Sequence, residues 1–284
     1  MAFTTLITPE QLLPHLADPN WAIFDCRFKL EDSEAGRKAY LDSHIAGAVY
    51  AHLDQDLSGP KTGINGRHPL PDPDSLIKIF SAWGISESTQ VAAYDDVGGG
   101  LAAARLWWLL KYMGHDRVAV LDGGWQAWVA ANYPTRPGAE SRPPTVFVAH
   151  PRPDMIRNAD EVGELARSSS WAVFDSRAPA RYRGDEEPID PVAGHIPGAR
   201  NRPWGANLDS SGRVLPPDQL RAQFDKLLGD AQPEQTVFYC GSGVTAAHNV
   251  LAIEAAGLPG AKLYPGSWSE WCSDPTRPVA TGQE

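Results

Sequence analysis

Thr236-Val237-Phe238-Tyr239-Cys240-Gly241-Ser242-Gly243-Val244-Thr245-Ala246, continued by AHNVLAIEAAG to Gly257, holds a strand, a turn and a helix in one run. Thr236 to Tyr239 is β-branched and aromatic, the composition of a buried strand. Thr245 to Ala256 is rich in alanine and leucine with helical periodicity, and Gly257 closes it as the glycine past the last turn. Between the two, a cysteine stands at the carboxyl edge of a sheet, just before a helix N-terminus. Unpaired N–H groups at such a terminus carry partial positive charge and receive anions. Gly241 and Gly243 let the loop curl so that successive amides point inward. A thiolate is stabilised in such a nest, so Cys240 reads as a nucleophile rather than as a small core residue.

The same unit is written twice. Trp21-Ala22-Ile23-Phe24-Asp25 recurs as Trp171-Ala172-Val173-Phe174-Asp175, 150 residues on, and Arg27 and Arg177 keep that spacing. His44-Ile45-Ala46-Gly47-Ala48 recurs as His195-Ile196-Pro197-Gly198-Ala199, and Val91 to Asp95 matches Thr236 to Cys240. Gly123-Gly124-Trp125 with Trp128 matches Gly266-Ser267-Trp268 with Trp271. Landmarks in one order at so long a period mean a duplicated domain, not a solenoid. Within each copy, apolar strands alternate with helical segments such as Asp74–Trp83, Leu101–Met113 and Pro217–Leu228. That is an α/β pattern with a mostly parallel sheet flanked by helices, and ligands bind at the carboxyl ends of its strands. Tyr133 to Pro153, dense in proline, reads as an extended linker. The expected domains are 1–135 and 155–284, joined by 136–154. In the first copy Asp95 stands where the second has Cys240, so that copy is expected to be catalytically silent.

Composition narrows the classes. The 284 residues have room for two cores. MAFTTLITPEQLLPHL shows no signal-peptide pattern, and no apolar run approaches membrane-spanning length. Three cysteines make no disulfide framework, and reduced thiols point to a cytoplasmic setting. The net charge of −10 argues against nucleic-acid and membrane partners. An anionic substrate must therefore be drawn by loop amides and a few arginines. The histidines are scattered without paired ligand spacing, so no metal is expected. Cys26 and Cys272 read as structural residues, and Arg27 and Arg177 as partners of Asp25 and Asp175. Two homologous halves in one chain point to a monomer.

CGSGVTA at Cys240–Ala246, HIPGA at His195–Ala199 and GSWSEW at Gly266–Trp271 resemble the markers of the mercaptopyruvate sulfurtransferases, within the rhodanese family. The resemblance covers nearly the whole chain and implies two tandem rhodanese-like domains, the second one active. A phosphatase of similar architecture needs an arginine six positions after the cysteine to clamp phosphate. Ala246 stands there. The implied chemistry is sulfur transfer. Cys240 takes a sulfane sulfur from a small anionic donor as a persulfide and passes it to cyanide or a thiol, a protein thiol such as a thioredoxin included. No cofactor is expected.

Thiosulfate-preferring relatives carry basic residues just after the cysteine, where this chain has Gly241 and Ser242, and the loop points to 3-mercaptopyruvate. The resemblance implies a relay of Ser242, His68 and Asp54, a carboxylate-binding Arg181, and loop contacts from Gly241, Gly243, Val244 and Thr245. The stretch Gly184 to Pro191 is acidic and lacks the second arginine that mercaptopyruvate enzymes carry there. Arg67, beside His68, is a candidate to make up that charge. Three alternatives stay open: thiosulfate:cyanide transfer by the same mechanism, persulfide delivery to a partner protein, and a non-catalytic binding module.

Overall fold

A computed structural model describes residues 2–283. The chain divides into two compact units. The first comprises the residues up to Gly59, Pro71–Arg152 and Ser210–Val214; the second comprises Pro60–Leu70, Pro153–Asp209 and the chain from Leu215 onward.

In the first unit the strands are β1 (Leu6–Ile7), β2 (Trp21–Asp25), β3 (His44–Ile45), β4 (Ala48–Tyr50), β5 (Gln90–Tyr94), β6 (Val118–Leu121) and β7 (Thr135–Arg136). Its helices are α1 (Pro9–Leu12), α2 (Ala35–Asp42), α3 (Pro73–Ala82), α4 (Ala102–Tyr112) and α5 (Gly124–Ala130). A parallel sheet runs β1-β6-β5-β2-β4, and β3 and β7 form a separate antiparallel ribbon. Local chemistry starts the helices where the sequence suggests. Thr8 and Gln11 cap α1 reciprocally, and the Asp72 carboxylate accepts the Ser75 N–H ahead of Pro73 at the first turn of α3. Ile7, Ile23, Ala92, Leu121 and Trp128 lie in its core.

The second unit contains α6 (Ala159–Leu165), β8 (Ala172–Asp175), α7 (Pro179–Arg183), β9 (Arg200–Asn201), α8 (Pro217–Leu228), β10 (Thr236–Tyr239), α9 (Thr245–Ala255), β11 (Lys262–Leu263) and α10 (Ser267–Trp271). Its sheet, also parallel, runs β11-β10-β8-β9, and Ile156 bridges Leu263 where β1 flanks β6 in the first unit. The two topologies therefore correspond strand for strand. Val173, Val237, Tyr239, Trp268 and Trp271 fill the core. Both faces of each sheet are covered, which is why β5 and β10 are buried along their whole length rather than alternately.

Duplication extends to the buried polar groups. Arg27 and Arg177 each clamp the aspartate two residues back, with closest contacts of 2.6 Å, and each guanidinium lies over a tryptophan ring, Trp125 and Trp268. His44 and His195 each stack on a tyrosine, Tyr40 and Tyr182, and contact that residue's carbonyl through Nδ1 at 2.8 and 2.7 Å. These pairs fix the turns of each copy.

The chain division differs from the expected one in three places, one of them Ser210–Val214, which clusters with the first unit. Residues 60–70 cluster with the second unit, not the first. The proline-rich stretch after Tyr133 is extended, yet much of it is bonded along the first unit. The Thr145 and Phe147 N–H groups donate to Ser81, and those of His150 and Arg152 donate to the Met113 and Tyr112 carbonyls. Among the described residues no helix is long and apolar enough to cross a membrane.

Candidate active site

β10 ends at Tyr239 and α9 begins at Thr245, so Cys240–Val244 forms the connecting loop at the carboxyl edge of the sheet. Cys240 is 2% exposed. The Gly243 N–H donates to its Sγ at 3.2 Å. Gly243 has φ +74°, and a Cβ there would stand 2.2 Å from the Pro265 carbonyl oxygen, so only glycine closes this turn.

The loop is tied down from α10. The Cys240 N–H donates to Ser267 Oγ at 3.0 Å, and the Trp268 and Ser269 N–H groups donate to the Cys240 and Gly241 carbonyls at 2.9 Å. Ser267 adopts φ +56°, a left-handed conformation rare for a serine, and its hydroxyl also donates to the Tyr264 carbonyl. Ser267 is a positioning residue that pattern reading passed over, although it lies inside the GSWSEW motif. Its repeat partner Gly124, at φ +54°, was the available signal.

The segment 60–70 brings two further side chains to the loop. It is anchored by the Arg67 N–H donating to Ser269 Oγ at 3.0 Å, and by Gly66, whose missing Cβ would stand 2.8 Å from the Gly266 carbonyl oxygen. His68 Nδ1 then lies 2.7 Å from Ser242 Oγ, with both residues buried. A Cβ on Gly241 would meet Arg67 Nη2 at 2.7 Å and Arg181 Nη1 at 3.6 Å, so two guanidiniums stand beside the cysteine loop.

Those cations are already paired. Arg181, on α7, bonds Glu187 at 2.6 Å and Asp190 at 3.1 Å; Arg177 also reaches Glu187, and Arg67 bonds the other Asp190 oxygen. Glu187 additionally accepts the Ile189 and Asp190 N–H groups. Burial opposes its charge, but the arginine and these amides outweigh it, and its carboxyl is held below the usual range. Burial pushes the Asp190 carboxyl up, and Glu187 adds to that push against Arg67 and Arg181. The acidic stretch is thus the counterion of the arginines.

Ser242, His68, Arg181, Gly241, Gly243, Val244 and Thr245 all belong to the second unit with Cys240. Asp54 belongs to the first, where its N–H donates to His52 Nδ1 at 3.1 Å. The other thiols are poor nucleophiles. Burial raises Cys26 well above the ordinary thiol range, and raises Cys272, which Asp190 also opposes, to about 11. Among the described residues no group of three or more His, Cys, Asp or Glu side chains is placed to hold a metal ion.

This geometry can hold a nucleophilic sulfur beneath loop amides, a hydroxyl–imidazole pair and two guanidiniums. Comparison with known proteins places the fold. The family model of the rhodanese-like domain matches residues 8–131 and again 158–274. The chain is 47% identical to a probable 3-mercaptopyruvate sulfurtransferase of Pseudomonas aeruginosa over 99% of this chain and 100% of that one. It is 40% identical to the putative thiosulfate sulfurtransferase SseB of Mycobacterium tuberculosis, over 98% and 97%. The crystal structure of SseA from Escherichia coli, titled for the rhodanese fold and mechanism of 3-mercaptopyruvate sulfotransferases, superposes with a TM-score of 0.81 at 29% identity, covering 94% of this chain and 99% of that one. With two copies of the rhodanese-like domain along its length, the chain belongs to the rhodanese family.

Proposed function

We propose that this sulfurtransferase uses Cys240 as its sulfur carrier and 3-mercaptopyruvate as its donor. The thiolate attacks the donor sulfur; an S–S bond forms, the donor C–S bond breaks, and its electron pair leaves with the pyruvate enolate. The proton of the donor thiol is formally the one that ends on the pyruvate methyl group. An acceptor thiol or cyanide then removes the outer sulfur and restores the Cys240 thiolate. The Gly243 N–H, which already donates to Sγ, stabilises the charge that the persulfide retains, with the amides of Gly241, Val244 and Thr245 assigned the same role in this reading, and Arg181 receives the donor's carboxylate.

The observation that carries the choice of donor is the 2.7 Å contact between His68 Nδ1 and Ser242 Oγ, two residues after the cysteine. An enolate must be protonated, and a hydroxyl–imidazole pair can deliver that proton. Sulfite, the leaving group from thiosulfate, needs none. This reading asks nothing of Asp54. A thiosulfate-first reading draws on a different observation, the two guanidiniums beside Gly241, which suit a dianion. Names of the similar proteins fall on both donors.

Intact mass after mixing with each donor tests the mechanism. The wild type gains about one sulfur atom and Cys240→Ser gains none; no gain from either donor favours a binding module. Steady-state kinetics then separate the donors. Ser242→Ala and His68→Gln are expected to lower kcat with 3-mercaptopyruvate by about 10²-fold or more, and to leave thiosulfate turnover within a few-fold. Equal losses with both donors would refute the relay. A protein thiol such as a thioredoxin is the proposed acceptor if it turns the persulfide over faster than small thiols do.

A further inference from the structure

Within the second unit, one carboxylate occupies the place where an anionic donor would be expected to bind. Asp190 places one oxygen on Arg67 Nη1 and the other 3.1 Å from Arg181 Nη2. Both guanidiniums approach the missing Cβ of Gly241, the residue after the cysteine. Two cations gripping one carboxylate, oxygen by oxygen, form the arrangement that would bind a free carboxylate or sulfonate.

Glu187 and Asp190 differ in how they are held. Glu187 bonds two arginines and two backbone N–H groups, which makes it part of the loop's framework. Among the described residues the Asp190 carboxylate is held by side chains alone, those of Arg67 and Arg181, which remain 27% and 17% exposed. Burial and the neighbouring Glu187 both disfavour its charge. It is the displaceable member of the cluster. Arg67, Arg177 and Arg181 face Asp175, Glu187 and Asp190, so the group as a whole carries no net charge.

We propose that Asp190 is a built-in anion that occupies the donor subsite between Arg67 and Arg181, competes with the incoming donor, and so sets donor affinity and discriminates by donor charge. The inference rests on Cys240 as the sulfur carrier. The donor carboxylate or sulfonate takes the place of Asp190 on the two guanidiniums, and the displaced aspartate stays close enough to repel it. Repulsion grows with donor charge, so dianionic thiosulfate is penalised more than monoanionic 3-mercaptopyruvate. Asp190 takes no part in bond making, and its effect belongs in KM rather than kcat.

The test is kinetics of Asp190→Asn and Arg67→Met with both donors, beside the wild type. Asp190→Asn is expected to lower KM for 3-mercaptopyruvate on the order of tenfold, and for thiosulfate by several-fold more, with kcat changed less than about threefold. Arg67→Met raises KM for both donors. An Asp190→Asn KM that is unchanged or higher for both donors overturns the proposal, and so does an equal gain for the two. A second readout avoids turnover: calorimetric titration of pyruvate and of sulfite into Cys240→Ser, with and without Asp190→Asn. Tighter binding in the double variant, larger for sulfite, supports the competing anion; unaltered binding overturns it. A wild type that acquires sulfur on Cys240 while Asp190→Asn behaves normally refutes Asp190 alone. A wild type that acquires none refutes the sulfur-carrier reading beneath it.

Discussion

The first unit's loop after β5 and the second unit's loop after β10 descend from one pattern and hold different side chains. In the first, Asp95 turns its own carboxylate into the nest. One oxygen accepts the Val97 and Gly99 N–H groups at 3.0 and 2.8 Å, the other those of Leu101 and Ala103 at 3.0 and 3.3 Å. The helix is delayed to Ala102 to supply those amides, whereas α9 starts at Thr245, only five positions after Cys240. The side chain that fills the nest in one copy is replaced in the other by a sulfur that accepts the Gly243 N–H. The first loop turns four N–H groups onto a side-chain acceptor; the second turns the Gly243 N–H onto the cysteine sulfur. The flanking residues diverge accordingly. Tyr40 and Tyr182 make equivalent contacts to Ala48 and Ala199, and the residue before each is Ala39 in one copy and Arg181 in the other. Val97 stands two residues after Asp95, where Ser242 follows Cys240.

Exchanging the two residues should have the largest effect. Cys240→Asp is expected to abolish persulfide formation and lower turnover beyond about 10³-fold, as loss of a nucleophile does elsewhere. The reciprocal Asp95→Cys is expected to take up no sulfur on residue 95 when mixed with either donor, read by peptide mass in a Cys240→Ser background. A sulfurated Cys at position 95 would break the comparison, because a nest alone, without counterparts of Ser242 and Arg181, would then make a sulfur carrier.

A smaller effect concerns the anion that the first loop holds. Burial pushes the Asp95 carboxyl up to about 6, against four amides that pull it down. Its folded value therefore exceeds the ordinary 3.8, and between those values the folded state binds more protons than the unfolded one. Stability from this group is fully present below the lower value and is lost as pH rises through about 6. Asp95→Asn cannot accept four N–H bonds, which costs about 1–3 kcal/mol near pH 7. Urea midpoints of wild type and variant should diverge further as pH falls from 7 towards 4, since only the wild type gains. Other carboxylates titrate alike in both proteins and cancel in the difference. A gap that closes on acidification would show that Asp95 is charged and well stabilised in its nest.

Much of this architecture is legible in the residues themselves. β10 at Thr236–Tyr239 and α8 at Pro217–Leu228 fall where composition and helix-start signals put them. The Asp25–Arg27 and Asp175–Arg177 pairs follow from the repeat. The segment 60–70 is not legible as part of the second unit. PKTGINGRHPL has no period, and its anchors Ser242 and Ser269 lie 174 and 202 residues away from His68 and Arg67. Irregular chain pairs with single atoms rather than with a face, so no pattern records it. The acidic stretch 184–191 shows the same limit. Its composition reads as a lost arginine, whereas the structure makes Glu187 and Asp190 the partners of three arginines. Charges can be counted from a sequence, but their pairing cannot.

The finest difference between the copies is a single conformation. Gly124 and Ser267 both follow a loop glycine and both adopt positive φ, at +54° and +56°. A Cβ on Gly124 would collide with the Asp95 carbonyl at 2.3 Å, so glycine is required there. At position 267 the strain of a serine is retained because its hydroxyl accepts the Cys240 N–H, a buried donor one residue past the end of β10. Ser267→Ala keeps the strained φ and loses that acceptor, and is expected to destabilise the fold by about 1–3 kcal/mol. Ser267→Gly loses the same bond but relaxes the backbone, offsetting about 1 kcal/mol of it. The ordering wild type, glycine, alanine in thermal midpoint would assign the serine to the cysteine's amide. A glycine variant as stable as the wild type, with unaltered kcat, would leave the hydroxyl without a role and make the two copies equivalent at this turn.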